Sequence, residues 1–126
     1  MAVERAPMKP QGAFAKWQAA QQRKAAQRLQ RAQKLKQMLR TAGRALFTKY
    51  RIQKVVVFGS VADNRCDAGS DLDVLVLPLP AASYWDFRHE LEEALGLPLD
   101  LYTQDDDPRF LEKVLARGEI IYEVPD

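Results

Sequence analysis

Two short runs decide how this chain reads: Val55-Val56-Val57-Phe58-Gly59-Ser60, and then Ser70-Asp71-Leu72-Asp73-Val74-Leu75-Val76. The first is a β-branched and aromatic run stopped by glycine, the pattern of a buried strand that ends in a tight turn. The second opens with two carboxylates two positions apart and continues as a second apolar strand. Residues i and i+2 of a strand project from one face, so Asp71 and Asp73 are expected to point together. Two carboxylates on one face repel unless a cation lies between them, and hard divalent ions such as Mg²⁺ take oxygen ligands. The exposed backbone of a Gly-Ser turn is a suitable cradle for phosphate. The pair of runs therefore points to metal-assisted chemistry on a nucleotide.

Working outward, Asp63 to Gly69 reads as a polar loop, and Pro78 and Pro80 stop the second strand. Ser83 with Asp86 three residues on resembles a capping box, which predicts a helix from about Tyr84 to Leu95 with Gly96 as its C-cap. Leu99-Asp100-Leu101-Tyr102 is a third strand, with Asp100 on the face opposite Leu99 and Leu101. Asp107-Pro108 starts a helix that ends at Gly118. Glu119 to Val124 is a last strand. The order predicts an α+β domain with a mixed sheet packed with helices.

Upstream, residues 1–12 contain Pro7, Pro10 and Gly12 and read as a flexible tail. Residues 13–50 are rich in Ala, Gln, Lys, Arg and Leu and predict a long basic helix, broken or bent at Gly43. Leu29, Ala32, Leu35, Leu39, Ala42 and Leu46 mark one apolar stripe. Residues 51–126 hold the strand–turn motifs. At 126 residues, 47% hydrophobic and 29% charged, the chain suits one soluble domain with a core.

The net charge of +2 conceals a split: residues 1–54 carry fourteen Lys/Arg against the single acid Glu4, whereas residues 55–126 carry five against sixteen. Two readings of the basic helix follow. It binds a polyanion such as nucleic acid, or it docks on a partner or a second copy through its stripe. The lone Cys66 makes no internal disulfide, and neither a membrane span nor a signal-peptide core is present in the sequence, so a cytoplasmic protein is expected.

The Gly59-Ser60 … Asp71-Leu72-Asp73 spacing resembles the signature of the nucleotidyltransferase superfamily that includes DNA polymerase beta. The flanking strands and the short length are similar to its minimal nucleotidyltransferase (MNT) branch, over about residues 53–124. Asp100 in Pro98-Leu99-Asp100-Leu101 matches the family's third carboxylate, and Gly118-Glu119-Ile120-Ile121-Tyr122-Glu123 is similar to the close of these domains. The resemblance implies two Mg²⁺ ions held by Asp71, Asp73 and Asp100, with ATP as nucleotide donor and Gly59, Ser60, Ser70 and Arg65 around its phosphates. An acceptor hydroxyl would attack the α-phosphorus and pyrophosphate would leave. It also implies a HEPN-type partner protein, with the MNT member as antitoxin adding AMP to it, in a hetero-complex or homo-oligomer.

One position departs from the pattern. Where many MNT proteins carry arginine after Gly-Ser-x-Ala, this chain has Asp63, and Arg65 is the nearest replacement cation. Two rival readings stay open: an MNT-fold protein of weak or lost activity that only sequesters its partner, and a nucleic-acid binder led by the basic helix.

Overall fold

The computed structural model describes the backbone of residues 2–65 and 71–125, and side chains from Gly12 onward. A long helix α1 (Ala2–Ala42) is followed by the short α2 (Arg44–Lys49). Then come β1 (Lys54–Phe58), β2 (Leu72–Leu77), α3 (Tyr84–Leu95), β3 (Leu99–Tyr102), α4 (Pro108–Arg117) and β4 (Glu119–Glu123). The strands form one sheet in the order β3-β2-β1-β4. β1 pairs antiparallel with β2 and β4, and β2 pairs parallel with β3. This is the mixed α+β sheet that the sequence predicts.

Alternation along the strands divides the sheet into two faces. Val55, Val57, Leu72, Val74, Val76, Leu99 and Leu101 face the main core, where Ala32, Leu39, Phe47, Phe87, Leu91 and Leu95 from the helices meet them. The opposite face carries Val56, Phe58, Asp73, Leu75, Leu77, Asp100 and Tyr102. Its apolar members pack with Val114, Phe110 and Leu111 of α4. The large core burial on one side and the thinner cover on the other leave the carboxylates on the α4 side.

Gly43 separates α1 from α2, as expected, and there is no room at this glycine for anything larger. A Cβ there would lie 2.5 Å from the Leu39 carbonyl oxygen and 2.7 Å from Phe47 Cζ. α1 begins at Ala2, so its backbone is helical through Pro7, Pro10 and Gly12, where the sequence predicts a tail up to residue 12. The Ala-, Gln- and Arg-rich propensity of the following turns carries the helix. Residues 12–18 are exposed, and the first fully buried position of α1 is Ala32.

The two predicted caps fare differently. Asp107 Oδ1 accepts the Arg109 N–H at 2.8 Å, and Gly96 closes α3 in the left-handed conformation at φ 73°. Ser83 makes no side-chain cap bond, which corrects the capping-box expectation. A 3-10 turn over Ala81–Ser83 leads into α3 and puts Ser83 at φ −100°, ψ −2°. An N-cap hydroxyl reaches the helix amides from the extended region, and Ser83 is not there. No helix among the described residues is long and apolar enough to cross a membrane.

Candidate active site

β2 and β3 run parallel in the register Leu72↔Leu99 and Asp73↔Asp100, so the sheet itself sets the two carboxylates side by side. Phe58 stands opposite Asp73 on the other flank. Asp71 lies just before β2 and is exposed. The three predicted carboxylates do come together electrostatically. Half-burial and the charges of Asp100 and Asp71, with a hydrogen bond to Asp100, push Asp73 up from 3.8 to about 6. Desolvation is the largest cause, followed by like-charge repulsion.

Part of that desolvation has an evident source on the same face. Phe58, Tyr102 and Phe110 form an aromatic cluster with ring centroids 5.1–5.5 Å apart. Burial and the Asp73 and Asp100 charges raise the Tyr102 phenol above its ordinary value. Negative charge thus accumulates on this face, which a divalent ion would relieve.

Gly59 closes the site from β1. It has φ 75°, in the left-handed region that favours glycine, and a Cβ there would come within 2.5 Å of Asp73 Oδ2. Only glycine lets the turn lie against that carboxylate. The chain then winds through a tight turn. The Asp63 N–H donates to the Gly59 carbonyl at 3.2 Å, and the Arg65 N–H donates to the Ser60 carbonyl at 2.8 Å. Ser60 is half-exposed at the head of this turn.

Arg65 does not stand free as the replacement cation. Its Nη2 donates to Asp63 Oδ2 at 2.8 Å, both side chains being exposed. Ser70 and Cys66 lie outside the described residues. The run Asp105-Asp106-Asp107 is spent on local structure: Asp106 accepts the Thr103 N–H, and Asp107 caps α4. His89 is on the surface beside Glu93.

Sequence reasoning missed three residues that hold the turn. Lys36 Nζ, on α1, donates to Asn64 Oδ1 at 3.0 Å and to Glu119 Oε1 at 2.9 Å. The available signal was the lysine itself: it lies one helical turn after Ala32 and three residues before Leu39, inside the apolar stripe.

Among the described residues, no group of three or more His, Cys, Asp or Glu side chains is gathered as a self-sufficient metal cage. Magnesium seldom needs one, because it binds through one or two carboxylates and completes its shell with water and substrate phosphates. Asp73 beside Asp100 on the sheet fits that mode.

The comparisons with known proteins point to one family. The family described as "Polymerase beta, Nucleotidyltransferase" matches residues 25–126. A Methanocaldococcus jannaschii protein named "Putative protein adenylyltransferase MJ1379" is 31% identical over 93 residues, spanning 70% of this chain and 93% of that protein. Its paralogue MJ1217, of the same name, is 26% identical over 91 residues with the same coverage. Among solved structures, a chain of a toxin–antitoxin complex with AMP-PNP superposes at a TM-score of 0.59 and 20% identity. That match covers 68% of this chain and 73% of the other. A chain from the complex of tri-AMPylated Shewanella oneidensis HEPN toxin with MNT antitoxin superposes at 0.53 and 19% identity, covering 71% and 73%. These two likenesses show the shared fold. The family match over four-fifths of its length makes this chain a nucleotidyltransferase of the polymerase beta family, and 30% identity to a solved chain described as "Structure of putative minimal nucleotidyltransferase", over 86% of that chain, sets it in the minimal branch.

Proposed function

We propose that this protein transfers AMP from ATP to a hydroxyl of a HEPN-type partner in the cytoplasm, acting as its antitoxin. The observation that carries the reaction is Asp73 in register with Asp100 across β2 and β3, with the Gly59 turn packed directly against Asp73. The partner class is supported by the MNT–HEPN complexes that share the fold.

Asp71 and Asp73 would hold two Mg²⁺ ions, with Asp100 on the catalytic one, and the ions would neutralise phosphate charge and acidify the attacking hydroxyl. Gly59 admits the backbone to the triphosphate, and the Ser60 hydroxyl donates to a phosphate oxygen. Asp100 accepts the proton of the acceptor hydroxyl as its oxygen bonds the α-phosphorus and pyrophosphate leaves. Alignment and charge neutralisation supply most of the rate, since the residues here form no covalent intermediate.

The test is incubation of the protein, Mg²⁺ and α-labelled ATP with the HEPN-type partner. Label should appear on the partner and vanish with Asp71→Asn combined with Asp73→Asn. Full neutralisation of the partner by that double variant would sink the catalytic account and leave a sequestering protein.

A second reading draws on one observation. Lys16, Arg23, Lys24 and Lys34 stand exposed on α1, and no acid occurs between residues 5 and 62. Steps of seven and eleven residues bring Lys16, Arg23 and Lys34 to one helix face. Such a stripe favours phosphate backbones, and Phe14 stacked on Trp17 at 5.8 Å is exposed at its start. Affinity for duplex or single-stranded nucleic acid that falls steeply with salt would support it.

A further inference from the structure

Lysine is almost never fully buried unless it is paired, yet Lys36 is 5% exposed in the last two turns of α1. Both of its described partners belong to other elements. Asn64 ends the turn that follows β1, and Glu119 opens β4. Glu119 is held a second time by Arg40 Nη2 at 3.2 Å. It follows Gly118, which packs so closely on the sheet that a Cβ would meet Val56 Cγ1 at 2.5 Å. One end of the Lys36 bridge is therefore fixed to the sheet, and the other reaches the turn.

That end of the turn is where support is needed. Asn64 sits at φ 58°, a left-handed conformation that costs a residue with a side chain some free energy. The turn's own backbone bonds fix its internal shape. Val61, fully buried, anchors its apolar side in the core. Lys36 anchors its polar end from outside.

We infer that Lys36 is a positioning residue of the transfer site: through Asn64 it holds the Gly59–Arg65 turn in the conformation that receives the nucleotide phosphates, which makes α1 part of the active-site machinery. The inference rests on the reading of this turn as the nucleotide cradle. Its chemistry separates cleanly from simple core filling. Methionine keeps the apolar stem of lysine, so Lys36→Met removes the Asn64 and Glu119 bonds together, while Arg40 keeps Glu119 paired and Asn64→Gly isolates the Asn64 bond.

The experiment measures amide hydrogen exchange over residues 59–65 in the full chain, the melting temperature, and kcat and KM for ATP in the AMP-transfer assay. Lys36→Met should speed exchange of the Asp63 and Arg65 amides and raise KM for ATP about tenfold, the scale of one lost hydrogen bond to a charged group, with kcat little changed. Lys36→Arg should restore most of both. Asn64→Gly, which keeps the left-handed backbone, should raise KM similarly, and the double variant should be no worse than either single one. A lower melting temperature with unchanged KM and no selective exchange in the turn would overturn the inference, as would multiplicative KM effects. If the wild type transfers no AMP, the site reading fails on its own. Exchange then decides the tether: acceleration confined to residues 59–65 upholds it, and acceleration spread over the sheet refutes it.

Discussion

Asp73 and Asp100 are register partners across the parallel β2–β3 pair, and burial, followed by the charge of Asp100, pushes Asp73 up to about 6. The unfolded carboxyl titrates near 3.8, so the folded protein holds the proton more tightly. Stability is therefore unaffected by this group below about pH 4, falls as pH rises through the window up to about 6, and stays reduced above it. Asp73→Asn should raise the melting temperature of the protein at neutral pH by a few degrees, on the order of 1 kcal/mol once solvent screening is allowed for. The gain should vanish below about pH 4. Melting curves across that range check it; a gain of equal size at every pH would contradict it.

Added Mg²⁺ should stabilise the wild type at neutral pH, and removing it with chelator should reverse the effect. Below about pH 6 protons compete for Asp73, so the Mg²⁺-induced shift should shrink. Asp73→Asn should lose it at all pH values. A shift of the same size in that variant would place the ion elsewhere.

Gly59→Ala should be the most damaging single-methyl change in the site. The new Cβ would collide with Asp73 Oδ2, and φ 75° adds roughly 1–2 kcal/mol of backbone cost. AMP transfer should fall at least about a hundredfold as turn and carboxylate are driven apart. Activity within a few-fold of wild type, in a folded variant, would show that the turn need not touch Asp73.

Asp63 and Arg65 pair on the surface, and such pairs contribute less than about 1 kcal/mol. Asp63→Ala should leave the melting temperature almost unchanged while releasing Arg65 toward the phosphates. KM for ATP should then drop about threefold, as a charge-assisted contact becomes available. An unchanged KM would show that Arg65 does not reach the nucleotide.

The helix starts offer a stability contrast. Asp107→Ala removes a cap bond of 2.8 Å and should cost about 1 kcal/mol in urea unfolding. Ser83→Ala removes none and should be nearly neutral. Equal losses at both sites would restore the capping box at Ser83.

Those two caps also show where sequence reading works and where it stops. Asp107 and Gly96 act through their immediate neighbours, and local chemistry alone identifies them. Ser83 has the right local chemistry too, but the 3-10 turn before it, set by how the chain leaves Pro80, takes its backbone out of capping geometry. The strands were legible because Val55–Phe58 and Leu72–Leu77 are buried runs bounded by glycine or proline. The carboxylates were legible from a two-residue period and a family spacing. Lys36 was not, since its partners Asn64 and Glu119 are distant in sequence and only the packing of α1 on the sheet brings them near. The pairing that occupies Arg65 was missed for a related reason, because the turn's winding, not its composition, aims Asp63 at it.

The parallel pairing of β2 with β3 has a consequence for how the molecule assembles. Asp73 and Asp100 are separated in sequence by all of α3, so the unfolded chain carries no carboxylate pair and no repulsion between its members. Both appear only when the crossover closes, a non-local and therefore slow kind of step. The two carboxylates thus oppose the docking of β3, and a cation that quiets them is expected to hasten folding.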